Sequence, residues 1–139
     1  MTTVLDRYLL EGESYKRLKG EWEKYGSLTI GVDFDGTLHD FHSEGDSHEQ
    51  VRSLVRDMYK LGFTIIIWTA HKNHEYVAKF LQENNIPHHG INVDGVDLGW
   101  NSRKPFFSAL LDDRAGLIEV YTDLRTLVDY IEHGRESSL

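Results

Sequence analysis

Two short runs, Leu28-Thr-Ile-Gly-Val-Asp33 and Phe63-Thr-Ile-Ile-Ile-Trp68, constrain the fold of this chain more than any other feature. Each is too short to be a stable helix, is rich in β-branched residues, and lacks the strict polar alternation of a strand with one wet face. A strand apolar on both faces is buried on both, which is the habit of parallel sheets. Parallel strands cannot be joined by a tight turn, so a crossover of a dozen or more residues must lie between them. The intervening sequence supplies one. Val51, Leu54, Val55 and Met58 fall at helical spacing, Ser47-His-Glu-Gln50 fits a capping box at its start, and Gly62 stops it. The expectation is an α/β layer fold with a mainly parallel sheet and right-handed crossovers.

The rest of the chain extends the alternation. Asn73 to Asn84 reads as an amphipathic helix with Tyr76, Val77, Phe80 and Leu81 inward, ended by Asn-Asn-Ile-Pro. Ile91 to Val93 and Phe106 to Leu111 read as further strands, and Thr122 as the cap of a last helix carrying Leu124, Leu127, Val128 and Ile131. Between Val4 and Tyr25, the residues Tyr15, Leu18, Trp22 and Tyr25 recur at helical spacing after a break at Glu11-Gly-Glu13. The expected organisation is one domain over 1–139, with a helical extension over 1–26 and a core over 28–133; at 139 residues no second independent core fits. With 40% hydrophobic residues the core needs no staples, and the absence of cysteine excludes disulfides, thiolate metal sites and cysteine nucleophiles. Fifteen basic residues against 23 acidic give a net charge of −8, which disfavours nucleic-acid backbones while leaving a local basic patch open. No basic-then-apolar leader and no run of about 18 apolar residues occurs, so a soluble cytoplasmic chain without membrane contact is expected.

Ligands of parallel α/β sheets sit at the carboxyl ends of the strands. Here the first strand ends in Asp33-Phe-Asp35-Gly-Thr37, the second in Thr69-Ala-His71, and the strand before the last helix in Asp112-Asp113-Arg114. One edge would gather four carboxylates, which repel one another unless a hard cation or a lysine neutralises them. Oxygen donors alone favour Mg²⁺. Lys104, in Ser102-Arg103-Lys104-Pro105, is the candidate second positive charge, with Arg103 an adjacent competitor. Ion and ammonium would form a pocket for a dianion. Asp33 is placed to act as a carboxylate nucleophile through an aspartyl phosphate, and Asp35, on the same side of an extended segment, to give and take a proton. The Thr69 hydroxyl and the amides of Ala70 and His71 are candidates to hold phosphoryl oxygens. Plainer readings exist: Asp-Gly-Thr is good turn chemistry, and Asp112-Asp113 can simply open a helix. The eight histidines, including His39, His42, His48 and the pair His88-His89, match no zinc spacing. His39 remains a candidate substrate contact, and His71, Lys72, Asn73, Trp100, Asn101 and Arg103 are candidates to line the entrance.

These segments, in this order, resemble the haloacid dehalogenase (HAD) superfamily of phosphohydrolases. Asp33-Phe34-Asp35-Gly36-Thr37-Leu38 matches its first motif residue for residue, Thr69 after an apolar strand the second, Lys104 the third, and Asp112-Asp113 the two-acid form of the fourth. The likeness runs from about Leu28 to about Ile131. It implies a three-layer Rossmann-like fold, Asp33 as nucleophile and Mg²⁺ ligand, Asp35 as acid/base with its backbone carbonyl on the ion, and Gly36, Ala70, His71 and Arg103 around the phosphate. It also implies Asp113 as the direct ligand with Asp112 behind it, an order the residues alone leave open. A second acid at the Asp35 position is the mark of the superfamily's phosphatases. Only nine residues separate Thr37 from Ser47, and 69–104 is used up by a helix, a strand and a loop, so no cap domain fits. The expectation is a capless, Mg²⁺-dependent phosphatase acting on a phosphorylated small molecule, a nucleotide or a polymer end, with the N-terminal helical stripe as a candidate homodimer face. The competing expectation is a phosphate- or metal-binding sensor domain of the same fold without turnover.

Overall fold

The computed structural model describes residues 6–134; the start of the helical stretch predicted from Val4 lies outside the described residues. Four strands, β1 (Thr29–Val32), β2 (Thr64–Ile67), β3 (Gly90–Ile91) and β4 (Ala109–Leu111), form one sheet in the order β3-β2-β1-β4. Every pairing is parallel. The register sets Ile30 beside Ile65 and Ala109, and Val32 beside Ile67 and Leu111. Since side chains alternate along a strand, these residues share one face.

That face carries the helices α1 (Glu13–Tyr25), α2 (Glu49–Lys60), α3 (His74–Glu83) and α4 (Leu117–His133). Leu18, Leu54, Val55, Met58, Val77, Leu81, Leu124, Leu127 and Val128 join Ile30, Val32, Ile65, Ile67 and Leu111 in one buried core. Each such side chain contributes about 1.5–3 kcal/mol by leaving water. The opposite face, with Gly31 and Ile66, is covered by the connection 92–108, which crosses the sheet from β3 at one edge to β4 at the other. Gly31 is required there: a Cβ would come within 2.8 Å of the Phe107 ring. Gly95 likewise lies close to the side chains of Thr29, Ile66 and Thr64. The architecture is therefore a small three-layer, Rossmann-like α/β fold with no cap among the described residues, whose third layer is irregular chain without helix or strand.

Several local expectations are corrected. The capping box at Ser47 does not form. His48, in a left-handed conformation (φ 56°), sets the start of α2 at Glu49, and Ser47 Oγ accepts from the Glu49 N–H at 3.2 Å. Thr122 does not cap α4, which begins five residues earlier at Leu117 behind Gly116 (φ 64°), because Leu117, Val120 and Tyr121 have core to cover. The last strand is only Ala109–Leu111, since Phe107 is used against the sheet face, and β3 stops at Ile91 before Asn92 turns left-handed (φ 53°). Asn73 does cap α3, accepting from the Tyr76 N–H at 3.0 Å. Of the N-terminal stripe, Leu18 is buried, Tyr15 and Trp22 pack against the core, and Tyr25 is exposed. Trp22 meets Tyr130 edge-on at 6.2 Å, so the stripe is largely spent on α4. No helix among the described residues is long and apolar enough to cross a membrane.

Candidate functional site

The carboxyl edge is organised by Thr37. Beyond the end of β1, the Asp33 N–H still donates to the Leu111 carbonyl at 2.8 Å, so Asp33 sits at the β1–β4 junction. Thr37 is fully buried and serves both neighbours: its hydroxyl donates to Asp33 Oδ2 at 3.2 Å and accepts from the Asp113 N–H at 3.1 Å. Gly36 has φ 81°, and a Cβ on it would stand 2.8 Å from Asp113 Oδ2, so only glycine lets that carboxylate lie against the loop. Asp112 Oδ1 accepts from the Arg114 N–H at 2.9 Å.

Asp33, Asp112 and Asp113 consequently each present a carboxylate oxygen, and the three oxygens lie within 4.8 Å of one another. The electrostatics follow. Burial raises the Asp33 pKa from 3.8 to about 7, helped by the hydrogen bond with Asp113 and the charges of Asp112 and Asp113, and opposed by the Thr37 hydroxyl. A half-buried acid with two acidic neighbours is short of positive charge. The donor set is all oxygen, which fits a hard divalent cation. The Asp35 side chain is not in this cluster; its Oδ1 lies 2.9 Å from His39 Nδ1.

A cavity of about 810 Å³ opens over these acids. Asp33, Asp35, Gly36, Asp112 and Asp113 lie on one side, Thr69, Ala70, His71 and Lys72 on another, and Phe41, His42, Trp68, Asn92 and Arg114 complete it. Thus Gly36, Thr69, Ala70 and His71 share the cavity with the acids, whereas Lys104 and Arg103 are exposed and do not line it. The reason lies in the path of the 92–108 connection. The Lys104 N–H donates to Ser102 Oγ at 3.2 Å, whose hydroxyl returns a bond to the Lys104 carbonyl at 2.8 Å. Phe107, three residues on, is held against Gly31. The cations on the cavity wall are instead Lys72 and Arg114.

Trp100 and Asn101 line a separate cavity of about 280 Å³ formed by residues 94–102. Among the other histidines, His48 is the N-cap of α2, His88 Nδ1 lies 3.1 Å from the Ile86 carbonyl, and His89 accepts from the Ile65 N–H at 2.9 Å while stacking on Tyr59. These are structural roles.

Asn92 is the residue that sequence reasoning missed. Its carboxamide clamps the backbone of Thr69, accepting from the N–H at 2.8 Å and donating to the carbonyl at 2.7 Å. The available signal was an Asn just past an apolar strand, the residue type that best tolerates the left-handed turn found there. Thr69 Oγ1 in turn accepts from the His71 N–H at 3.0 Å. That bond commits the His71 amide, while the hydroxyl proton of Thr69 stays available.

Neither a family model nor a curated protein sequence matches this chain. Among solved structures, a conserved protein coded by a locus of Bacteroides thetaiotaomicron superposes with a TM-score of 0.58 at 19% identity, covering 78% of this chain and 93% of that one. A second, a structural-genomics target from Vibrio cholerae, covers 75% of this chain and 98% of its own at 22% identity, with a TM-score of 0.45. The first likeness establishes a shared fold; the chemistry rests on the acid cluster.

Proposed function

We propose that this chain is a Mg²⁺-dependent phosphomonoesterase of the HAD type. The observation that carries the reading is the convergence of the Asp33, Asp112 and Asp113 oxygens within 4.8 Å at the carboxyl edge of a parallel sheet, with the pKa of Asp33 raised to about 7. Those three carboxylates, with the Asp35 backbone carbonyl, would hold the ion. When bound, the ion neutralises the cluster and draws charge from the phosphoryl oxygens.

The chain's own residues account for the rest. An Asp33 carboxylate oxygen attacks phosphorus, the ester P–O bond breaks, and Asp35 protonates the departing oxygen. Water then attacks the aspartyl phosphate, gives its proton to Asp35, and the Asp33–phosphorus bond breaks to release inorganic phosphate. The Thr69 hydroxyl and the Ala70 amide face the phosphate oxygens, and Lys72 and Arg114 supply the positive wall first expected of Lys104 and Arg103. The open cavity admits a bulky or polymeric phosphoester as well as a small one, and the net charge of −8 weighs against a nucleic-acid end.

The test is phosphate release from 4-nitrophenyl phosphate. Turnover should require Mg²⁺, stop with a chelator and vanish in Asp33→Asn. Release that needs no divalent ion, or full activity in the variant, overturns the reading. The position of Lys104 away from the cavity favours one competitor, a metal- and phosphate-binding sensor. Phosphate incorporation that halts at one equivalent per chain would decide for it.

A further inference from the structure

His39 lies outside the acid cluster, yet its ring and its backbone are both held in place. Its ring stacks on the fully buried Phe34 at 4.9 Å with an interplanar angle of 11°, and Phe80 meets it edge-on at 4.8 Å. Its backbone is pinned as well: the N–H donates to the Phe34 carbonyl at 3.0 Å, and the carbonyl accepts from the Gly36 N–H at 2.9 Å. Both ring nitrogens are used. Nδ1 lies 2.9 Å from Asp35 Oδ1, and Nε2 lies 3.1 Å from the Tyr76 hydroxyl. With the ring neutral, Tyr76 donates to Nε2 and Nδ1–H donates to Asp35; with the ring protonated, Nδ1–H still donates to Asp35.

We infer that His39 is the positioning residue for Asp35: wedged between Phe34 and Phe80 and anchored by Tyr76, it holds Asp35 Oδ1 and so leaves Oδ2 as the oxygen that serves the departing group of the substrate. This rests on the phosphoryl-transfer reading above. The pairing is oriented by rigid neighbours, since His39 and Asp35 are four residues apart on a loop whose Phe34 and Leu38 are both fully buried. An aspartate at a cavity wall without such a partner would sample several rotamers, and a proton donor contributes only when its oxygen is within hydrogen-bond reach of the reacting atom.

A merely structural role and a positioning role differ in what they do to the leaving group. Nitrophenolate departs without help, whereas an alkoxide must be protonated as it leaves. The experiment compares kcat/KM for 4-nitrophenyl phosphate and 4-nitrobenzyl phosphate, two substrates of similar shape, in the wild type, His39→Leu and His39→Asn. The expected result for His39→Leu is a loss of about 10- to 100-fold on the benzyl ester and no more than a few-fold on the phenyl ester, within the range of general-acid contributions. His39→Asn places an N–H donor where Nδ1 stands and should recover most of the benzyl activity. Tyr76→Phe, at a half-exposed residue, should shift the ratio of the two rates in the same direction by about 3-fold, and it provides the answer should His39→Leu fail to fold. An equal loss on both esters, or no loss on either, overturns the positioning role while leaving the phosphatase reading intact. A wild type that releases phosphate from neither ester overturns both.

Discussion

Replacing Asp33 by Asn should stabilise the cation-free protein while destroying its response to Mg²⁺. The substitution keeps size and shape, leaves an oxygen for the Thr37 hydroxyl, and adds an N–H donor on the Asp113 side. It also removes one of three carboxylate charges held within 4.8 Å. The folded Asp33 has a pKa of about 7 against the ordinary 3.8, so the folded state holds its proton more tightly than the unfolded state does. Stability from this group is therefore complete below about pH 4 and is lost as pH rises towards 7. A shift of this size has a ceiling of about 4 kcal/mol. Asp33 is only half-buried, and solvent screening reduces the expected effect to about 1–2 kcal/mol. In chelator at about pH 8, Asp33→Asn should melt about 3–8 °C higher than the wild type. By about pH 5 the gap should shrink to roughly a third, because most of the titration interval has then been reversed. Saturating Mg²⁺ should raise the wild-type Tm and leave the variant unmoved. Circular-dichroism melts at the two pH values, with chelator and with Mg²⁺, read all of this. A variant less stable than wild type at pH 8, or a gap that does not narrow on acidification, would refute the electrostatic account of the cluster.

Three further substitutions probe the supports. Gly36→Ala puts a Cβ 2.8 Å from Asp113 Oδ2 at φ 81°; it should cost about 1–2 kcal/mol and displace Asp113, so the Mg²⁺-induced rise in Tm should disappear from a folded protein. An unchanged Mg²⁺ response would show that Asp113 is not needed there. Thr37→Val keeps the volume but deletes a buried hydroxyl bonded to both Asp33 and the Asp113 amide, and should lower stability in urea titrations by about 1–3 kcal/mol. A change below about 0.5 kcal/mol would mean that the two bonds contribute little. Asn92→Ala removes the clamp on Thr69, so hydrogen exchange at the Thr69 amide should accelerate at least 10-fold while the Ile66 amide, inside β2, keeps its protection. Equal protection of Thr69 in both proteins would sink the clamp.

What was legible in the sequence followed from rules that depend on neighbours along the chain. Leu28 to Asp33 and Phe63 to Trp68 announce buried parallel strands because no other element tolerates apolar residues on both faces at that length. Once the sheet is parallel, topology alone sends Asp33, Thr69 and Asp112 to one edge. The illegible parts depend on partners distant in sequence. Asn92 clamps Thr69 from 23 residues away, and its local signal, an Asn just past an apolar strand, marks the turn and not the bond. The start of α4 rests on a left-handed Gly116, which offers no side-chain cap to detect, whereas Thr122 offers the cap signature and sits inside the helix. Lys104 lies away from the cavity for a third reason. Its distance along the chain from Asp112 says nothing about where the intervening residues are spent, and they are spent on Phe107.

Phe107 also connects the third layer to the site. A helix in the β3-to-β4 crossover would stand off the sheet by its own diameter, roughly 10 Å. Irregular chain without a helix can lie directly on Gly31, and in doing so it brings Phe107 edge-on to Trp68 at 5.7 Å, where Trp68 forms part of the cavity wall. The absence of a side chain at residue 31 thus reaches the cavity through two aromatic rings. With no cap domain over the carboxyl edge among the described residues, selection among substrates by the proposed phosphatase would fall to the rings and cations at its rim: Phe41 and His42 from the β1–α2 connection, Trp68, His71 and Lys72 past β2, and Arg114 before α4. In that reading the acids at the floor and Thr37 beneath them would set the chemistry, while the rim side chains would set what is accepted.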